Sequence, residues 1–256
     1  MNKIKRALGK RLKSMGEKML DGLDGSEQVD PKLKVFHSDT YKAINDARLS
    51  HLASLNLPLE GKTVLEVGAG IGLHTHFFEE RGCKIVSTDG RQENVDAMKK
   101  QFPHRDNRVL NLLDFDSYSA FGEFDIIYCY GTLYHTSKPE EILKGLSSLC
   151  KGILLLETCV TPGDHLSPHL TRESETFDQA IGIIGCRPTR PWIMDVLRKY
   201  YGYAYVTKTQ PNQKDFDLDW EIPVKKQNHR AVFVGSRHSI DNPLLLTQLP
   251  GHQEHN

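Results

Sequence analysis

Three glycines spaced two apart, Gly68, Gly70 and Gly72, follow the stretch Lys62-Thr63-Val64-Leu65-Glu66-Val67, and they restrict the fold more than any other feature of the chain. Val64, Leu65 and Val67 form a short apolar run suited to a strand buried on both faces. The glycines permit a sharp turn and let a ligand approach the backbone with no Cβ in the way. From Leu73 to Glu80 the apolar–polar pattern reads as a helix that starts at once. A strand, a glycine turn and a helix N-terminus make a nucleotide site.

Around this stretch, strand and helix patterns alternate. Apolar residues come at helical intervals from Val35 to Leu57, and Pro58 and Gly61 end that segment. Lys84 to Thr88 reads as a second strand ending in Asp89, and Asn94 to Phe102 as a helix stopped by Pro103. Arg108 to Leu113 reads as a third strand ending in Asp114, and Phe124 to Tyr130 as a fourth. Pro139 to Leu149 is a helix and Gly152 to Thr158 a fifth strand. Thr189 can cap a helix over Pro191 to Tyr200, after which Tyr203 to Thr207 and Ala231 to Gly235 would form an antiparallel pair. The pattern predicts an α/β fold: a Rossmann-like, doubly wound, seven-stranded sheet with an antiparallel last strand, over residues 31–236. Residues 160–187 form a substrate-side insertion, and 237–256 a polar tail trailing over the surface.

Composition narrows the function classes. A formal net charge of +0 over 256 residues argues against a domain-wide electrostatic footprint for nucleic acid, although a local basic patch would not show in that sum. The five cysteines include no C-x-x-C pair and read as buried thiols in a reducing compartment. With no long apolar run and no secretory leader pattern, the expected location is cytoplasmic. The first thirty residues stand apart: seven lysines and arginines against one glutamate up to Leu20, with Ile4, Leu8, Leu12, Met15 and Met19 at helical spacing. That is a basic amphipathic helix followed by a linker. It lies on its own domain, or it meets a membrane surface or an acidic partner.

The spacing of the acids and glycines bears on the ligand. E-x-G-x-G-x-G differs from the dinucleotide fingerprint G-x-G-x-x-G, and Glu66 suits a cationic ligand while repelling a phosphate. The pattern resembles motif I of the class I S-adenosylmethionine-dependent methyltransferases. Asp89 falls where nucleotide-binding sheets place the carboxylate that grips the ribose hydroxyls. Further likeness lies in Phe124-Asp125-Ile126-Ile127 followed by Gly131-Thr132-Leu133-Tyr134-His135, in Gly72-Leu73-His74, Leu156-Glu157-Thr158 and Arg187-Pro188-Thr189, and in Arg230 opening the last strand. These segments, discontinuous between about Thr63 and Gly235, resemble the tRNA wobble-uridine carboxymethyltransferases, which use carboxy-S-adenosylmethionine.

The resemblance implies that Glu66, Gly68, Gly70, Gly72, Asp89, Leu113, Asp114 and Tyr130 serve the cofactor. It puts Tyr134 and Arg230 where that family binds the cofactor's extra carboxylate. The family's upstream basic segment has no convincing counterpart in Val35 to Leu57, so ordinary S-adenosylmethionine is the expected cofactor. Tyr134 would then border the methyl group, and Arg230 would meet an anionic substrate or an internal acid. The ordinary pKa of a histidine side chain suits a general base, the role open to His135, or else His135 is a structural histidine bonding a loop carbonyl. Asp164, His165 and His169 form D-H-x-x-x-H, a spacing compatible with two metal ligands but with no third in clear register; they read as a polar substrate loop, and no metal is expected. The expected activity is O-methylation of a small-molecule or glycan-type acceptor. The alternatives are wobble-uridine modification of tRNA with the carboxylated cofactor, and a catalytically silent binding module.

Overall fold

The computed structural model describes residues 31–173, 182–221 and 229–256. The chain divides into two compact units, Met1–Lys34 and Val35–Asn256. The basic amphipathic segment and its linker lie outside the described residues, apart from the first residues of the 3₁₀ stretch Pro31–His37.

The second unit is built on one eight-stranded sheet. Its parallel half comprises β1 (Thr63–Val67), β2 (Lys84–Asp89), β3 (Asp106–Val109), β4 (Phe124–Tyr130) and β5 (Cys150–Val160). Two short strands, β6 (His169–Arg172) and β7 (Ile184–Arg187), form a separate hairpin. The chain then returns to the sheet with β8 (Tyr203–Thr207), leaves it for β9 (Thr209–Gln210), and inserts β10 (His229–Ser236) between β5 and β8, antiparallel to both. The main-sheet order is β3-β2-β1-β4-β5-β10-β8-β11, with β11 (Leu245–Leu246) at the edge. Strand order reverses between β1 and β4, which opens a crevice at their carboxyl ends.

The helices are α1 (Asp39–Ser54), α2 (Thr75–Glu79), α3 (Gln92–Gln101), α4 (Pro139–Ser148) and α5 (Arg190–Tyr201). Two apolar clusters hold them to the sheet. One joins Leu65, Ile127, Leu154 and Phe233 to Ile142, Leu146, Ile193 and Leu197 of α4 and α5. The other joins Val64, Tyr128, Leu155 and Val232 to Ile44 and Leu52 of α1 and Phe77 and Phe78 of α2. Alternate residues of each central strand therefore enter opposite clusters, as period-two side chains must. The side chains of Ser38 and Thr189 cap α1 and α5 by accepting the Tyr41 and Trp192 N–H groups, both at 3.3 Å.

Three elements differ from the sequence reading. The helix after the glycines starts at Thr75, later than expected, and spans five residues. The third strand ends at Val109, because Leu110 and Leu112 turn inward and are buried instead of continuing the ladder. The polar tail does not trail: Leu245 and Leu246 pair with β8, and β12 (Glu254–His255) pairs with β9. Gln253 is buried, accepting from Gln210 Nε2 at 3.0 Å and from Trp220 Nε1 at 2.7 Å.

Candidate active site

A cavity of about 350 Å³ opens at the carboxyl ends of β1, β2 and β4. Its floor is the glycine turn. Gly68 has φ +68°, and a Cβ there would lie 2.1 Å from Thr132 Oγ1, so only glycine fits. Asp89 fixes the turn: its Oδ2 accepts the Gly70 N–H at 2.9 Å, and its Oδ1 accepts the Arg91 N–H at 2.9 Å and Asn94 Nδ2 at 3.0 Å. Burial pushes the Asp89 carboxyl above the usual aspartate range, while the Arg91, Asn94 and Gly70 donors pull the other way. Leu110, Leu112 and Leu113 form an apolar wall, with the Leu112 carbonyl held by Tyr118 Oη at 2.8 Å.

The opposite wall carries the charges. Arg48 projects from α1, whose buried face runs Ile44, Asn45, Arg48, His51, Leu52. Its Nη2 donates to Glu157 Oε2 at 2.6 Å and its Nη1 to Asn45 Oδ1 at 3.1 Å. Arg230 donates from Nη1 to Glu157 Oε1 at 3.0 Å and from Nη2 to Tyr134 Oη at 3.1 Å. Glu157 is thus a buried carboxylate between two guanidiniums. Burial alone pushes its carboxyl up, but Arg48 and Arg230 outweigh that and hold it below the usual glutamate range. Burial pushes the Tyr134 phenol up, so the hydroxyl stays protonated at neutral pH and is not a base, while its oxygen accepts from Arg230.

His135 ends the 3₁₀ turn Leu133–His135 and lines the same cavity. Its Nδ1 lies 2.5 Å from Glu173 Oε2, and Arg187 reaches Glu173 Oε1 with Nη1 and Nη2, both at 3.1 Å.

The cavity brings together Gly68, Gly70, Asp89, Leu113, Tyr134, His135 and Arg230 of the sequence-derived residues. Four others sit elsewhere. Glu66 lines a smaller neighbouring recess, where its Oε2 accepts from Thr75 Oγ1 at 2.6 Å and Ser87 Oγ at 2.8 Å; it ties β1 to α2 and β2 instead of facing the main cavity. Tyr130 lines that recess too, stacked on Tyr128. Gly72 is a packing glycine, since a Cβ there would meet Met98 Sδ at 3.1 Å. Asp114 lies at the start of the 3₁₀ turn Phe115–Ala120, outside the cavity lining.

Arg48, Glu157 and Glu173 are the functional candidates that sequence reasoning missed. Arg48 had a readable sign, a cation on the apolar stripe of α1. Among the described residues, no group of three or more His, Cys, Asp or Glu side chains is placed to hold a metal. No described helix is long and apolar enough to cross a membrane.

The lining suits an adenosine with a charged tail. Leu110, Leu112 and Leu113 offer an apolar slot for a base, and Asp89 keeps a lone pair on Oδ2 for a hydroxyl. Among the described residues Arg48 Nε, Arg230 Nε and Tyr130 Oη are buried without a hydrogen-bond partner. Residues 65–152 match the family model described as Methyltransferase domain. The chain carries a class I methyltransferase domain. S-adenosylmethionine is the cofactor of that class, and the donors around this cavity fit it. The domain is 34% identical over 125 residues to tRNA U34 carboxymethyltransferase of Haemophilus influenzae (strain PittGG), covering 46% of this chain and 38% of that protein. Over the same length it is 32% identical to the enzyme of that name from Mannheimia succiniciproducens. The match therefore spans well under half the length of these curated relatives.

Among solved structures, the N-terminal domain of EvdMO1, determined with S-adenosylhomocysteine and D-fucose, aligns with TM-score 0.57 at 20% identity over 78% of this chain and 84% of that one. Magnesium protoporphyrin IX methyltransferase from Synechocystis PCC 6803, with S-adenosylhomocysteine bound, aligns with TM-score 0.51 at 14% identity over 91% of this chain and 100% of its own. These likenesses establish the methyltransferase fold.

Proposed function

We propose that the protein methylates an oxygen of a small-molecule or glycan-type acceptor, using S-adenosylmethionine. The observation that carries this reading is that one cavity joins Asp89 and its glycine turn to a histidine whose Nε2 has no hydrogen bond among the described residues. When bound, the cofactor supplies an electrophilic methyl group on a sulfonium with a good leaving group. The protein's own work is then to align the acceptor, exclude water and take a proton. Gly68, Gly70, Asp89 and Leu113 would hold the cofactor. Tyr134, its phenol protonated, would orient the acceptor oxygen, and His135 would receive the proton from it. Arg230 meets the internal acid Glu157, which leaves Nε and the charge shared with Arg48 to face an anionic group.

A second reading has specific support. Arg48, Arg230 and Tyr134 converge on one wall and bring two guanidiniums against one carboxylate. That residual positive charge suits the carboxylated cofactor, and relatives bear the name tRNA U34 carboxymethyltransferase. Calorimetric titration with S-adenosylmethionine, its carboxylated form and NAD separates the readings. Tight binding of the carboxylated form alone rejects the first, and binding of none supports a silent module. Mass spectrometry of extracts incubated with methyl-labelled cofactor then finds the acceptor.

A further inference from the structure

We infer that the β6–β7 hairpin sets the protonation state of His135: Glu173 is a positioning residue that leaves Nε2 as the bare, proton-accepting nitrogen in the cavity, and Arg187 holds Glu173. This rests on the reading of the protein as a methyltransferase acting on a protonated oxygen, and it assigns the substrate-side hairpin a part in the chemistry.

The Glu173 side chain is 2% exposed and touches both His135 and Arg187. Arg187 brings two N–H donors to Oε1, so the favoured state of the carboxyl is the ionised, acceptor-only one. A carboxylate that accepts at Oε2 requires the proton to be on His135 Nδ1, 2.5 Å away. In the neutral ring Nε2 then carries only its lone pair. The opposite tautomer would present an N–H to the acceptor and could take no proton from it.

The backbone is arranged for this contact. β6 and β7 pair from His169↔Arg187 to Arg172↔Ile184, and the Glu173 N–H donates to the Ile183 carbonyl at 2.9 Å. Ile183 is held at φ +54°, a costly conformation for a β-branched residue. A Cβ on Gly185 would lie 2.4 Å from the Tyr134 carbonyl oxygen and 2.6 Å from Glu173 Oε1, so the hairpin presses directly on the turn that carries His135. Arg187 Nη1 also donates to the Tyr134 carbonyl at 3.2 Å. The hairpin thus grips both the backbone before His135 and the ring itself.

In the step this serves, the acceptor's O–H bond breaks and its proton passes to Nε2 while the O–CH₃ bond forms. The electron pair of the S–CH₃ bond leaves with sulfur. Glu173 neutralises the imidazolium so produced, which then returns its proton to water.

The test uses the full chain labelled with ¹⁵N-histidine. Long-range ¹H–¹⁵N spectra at a pH where the ring is neutral report which nitrogen is protonated, and His135→Gln assigns the resonances. In the wild type we expect Nδ1 protonated and Nε2 bare, and in Glu173→Gln a mixture with substantial Nε2–H, because an amide can donate as well as accept. Affinity for S-adenosylhomocysteine should agree within about twofold, while transfer of labelled methyl to extract components falls roughly 10- to 100-fold. Nε2–H in the wild type, or an unchanged tautomer in Glu173→Gln, overturns the inference. Should that variant fail to fold, the wild-type spectrum and that of Arg187→Lys still decide. Failure of the wild type to bind S-adenosylhomocysteine overturns instead the methyltransferase reading beneath it, and calorimetry reads that independently of the tautomer.

Discussion

Replacing Glu157 by glutamine removes one charge from the middle of the sheet and leaves the shape nearly unchanged. In the wild type the carboxylate is fully buried and takes Arg48 at 2.6 Å and Arg230 at 3.0 Å. Without it two guanidiniums face each other across a neutral amide, with at most one acceptor oxygen between them. Breaking a buried pair in this way costs about 3–5 kcal/mol, because an uncompensated buried charge remains. For a domain of this size about 1 kcal/mol corresponds to roughly 2–4 °C in Tm, so Glu157→Gln should melt roughly 6–20 °C lower. The same change leaves the Arg48–Arg230 wall more positive, so affinity for the carboxylated cofactor should rise relative to S-adenosylmethionine by on the order of tenfold, or 1.4 kcal/mol. Differential scanning calorimetry and paired titrations read the two effects. A Tm loss below about 3 °C with unchanged cofactor preference would refute the account of Glu157 as the counter-ion of this wall.

Other perturbations test other parts. Asp89→Ala orphans three N–H donors and should weaken S-adenosylmethionine binding at least about tenfold by calorimetry, since hydrogen bonds to a charged group are worth roughly 1.5–3 kcal/mol each. His135→Ala should lower kcat by on the order of 10²–10⁴ in the methyl-transfer assay with cofactor affinity intact; near-normal turnover would make the residue structural. Burial lowers the His51 pKa to about 4, against 6.5 for an ordinary histidine, with an opposing bond to the Thr209 carbonyl. The unfolded chain therefore binds this proton first, and the stability from a neutral His51 is intact above about pH 6.5. It falls by up to roughly 3 kcal/mol as pH drops to 4. Urea unfolding of wild type and His51→Gln across that range should show the wild type losing more on acidification, and parallel curves would remove His51 from the balance.

Much of the frame was legible because it follows from short-range chemistry. The apolar runs of β1, β2 and β4 with Gly68 and Asp89 at their ends, the Thr189 cap, and the antiparallel pairing near the end of the sheet all appear as expected. What escaped depends on partners far along the chain. Arg48 shows as a cation on the apolar stripe of α1, but its partner Glu157 lies 109 residues later, and no local pattern pairs the two. Glu173 lies in a polar insertion whose pattern says nothing of His135. Leu110 to Leu113 reads as strand because an apolar run is the same signal whether it joins a ladder or walls a cavity. The segment from Leu245 to His255 is too short-paired and too polar to show a period, and burial of Gln253 is decided by three-dimensional neighbours alone.

The position of β10 sets a timetable for synthesis. β5 pairs with β4 as soon as both exist, but its other side waits for β10, whose His229 lies opposite Val160. At roughly 5–20 residues per second the ribosome takes about 3–14 s to cover that interval. Throughout it, Leu154, Leu155 and Leu156 flank an open row of backbone donors and acceptors, and Glu157 has only Arg48 to meet its charge. β8 emerges earlier but cannot fill the gap, because β10 belongs between the two. A nascent chain that stalls before residue 229 therefore displays a long apolar edge of the kind that templates aggregation.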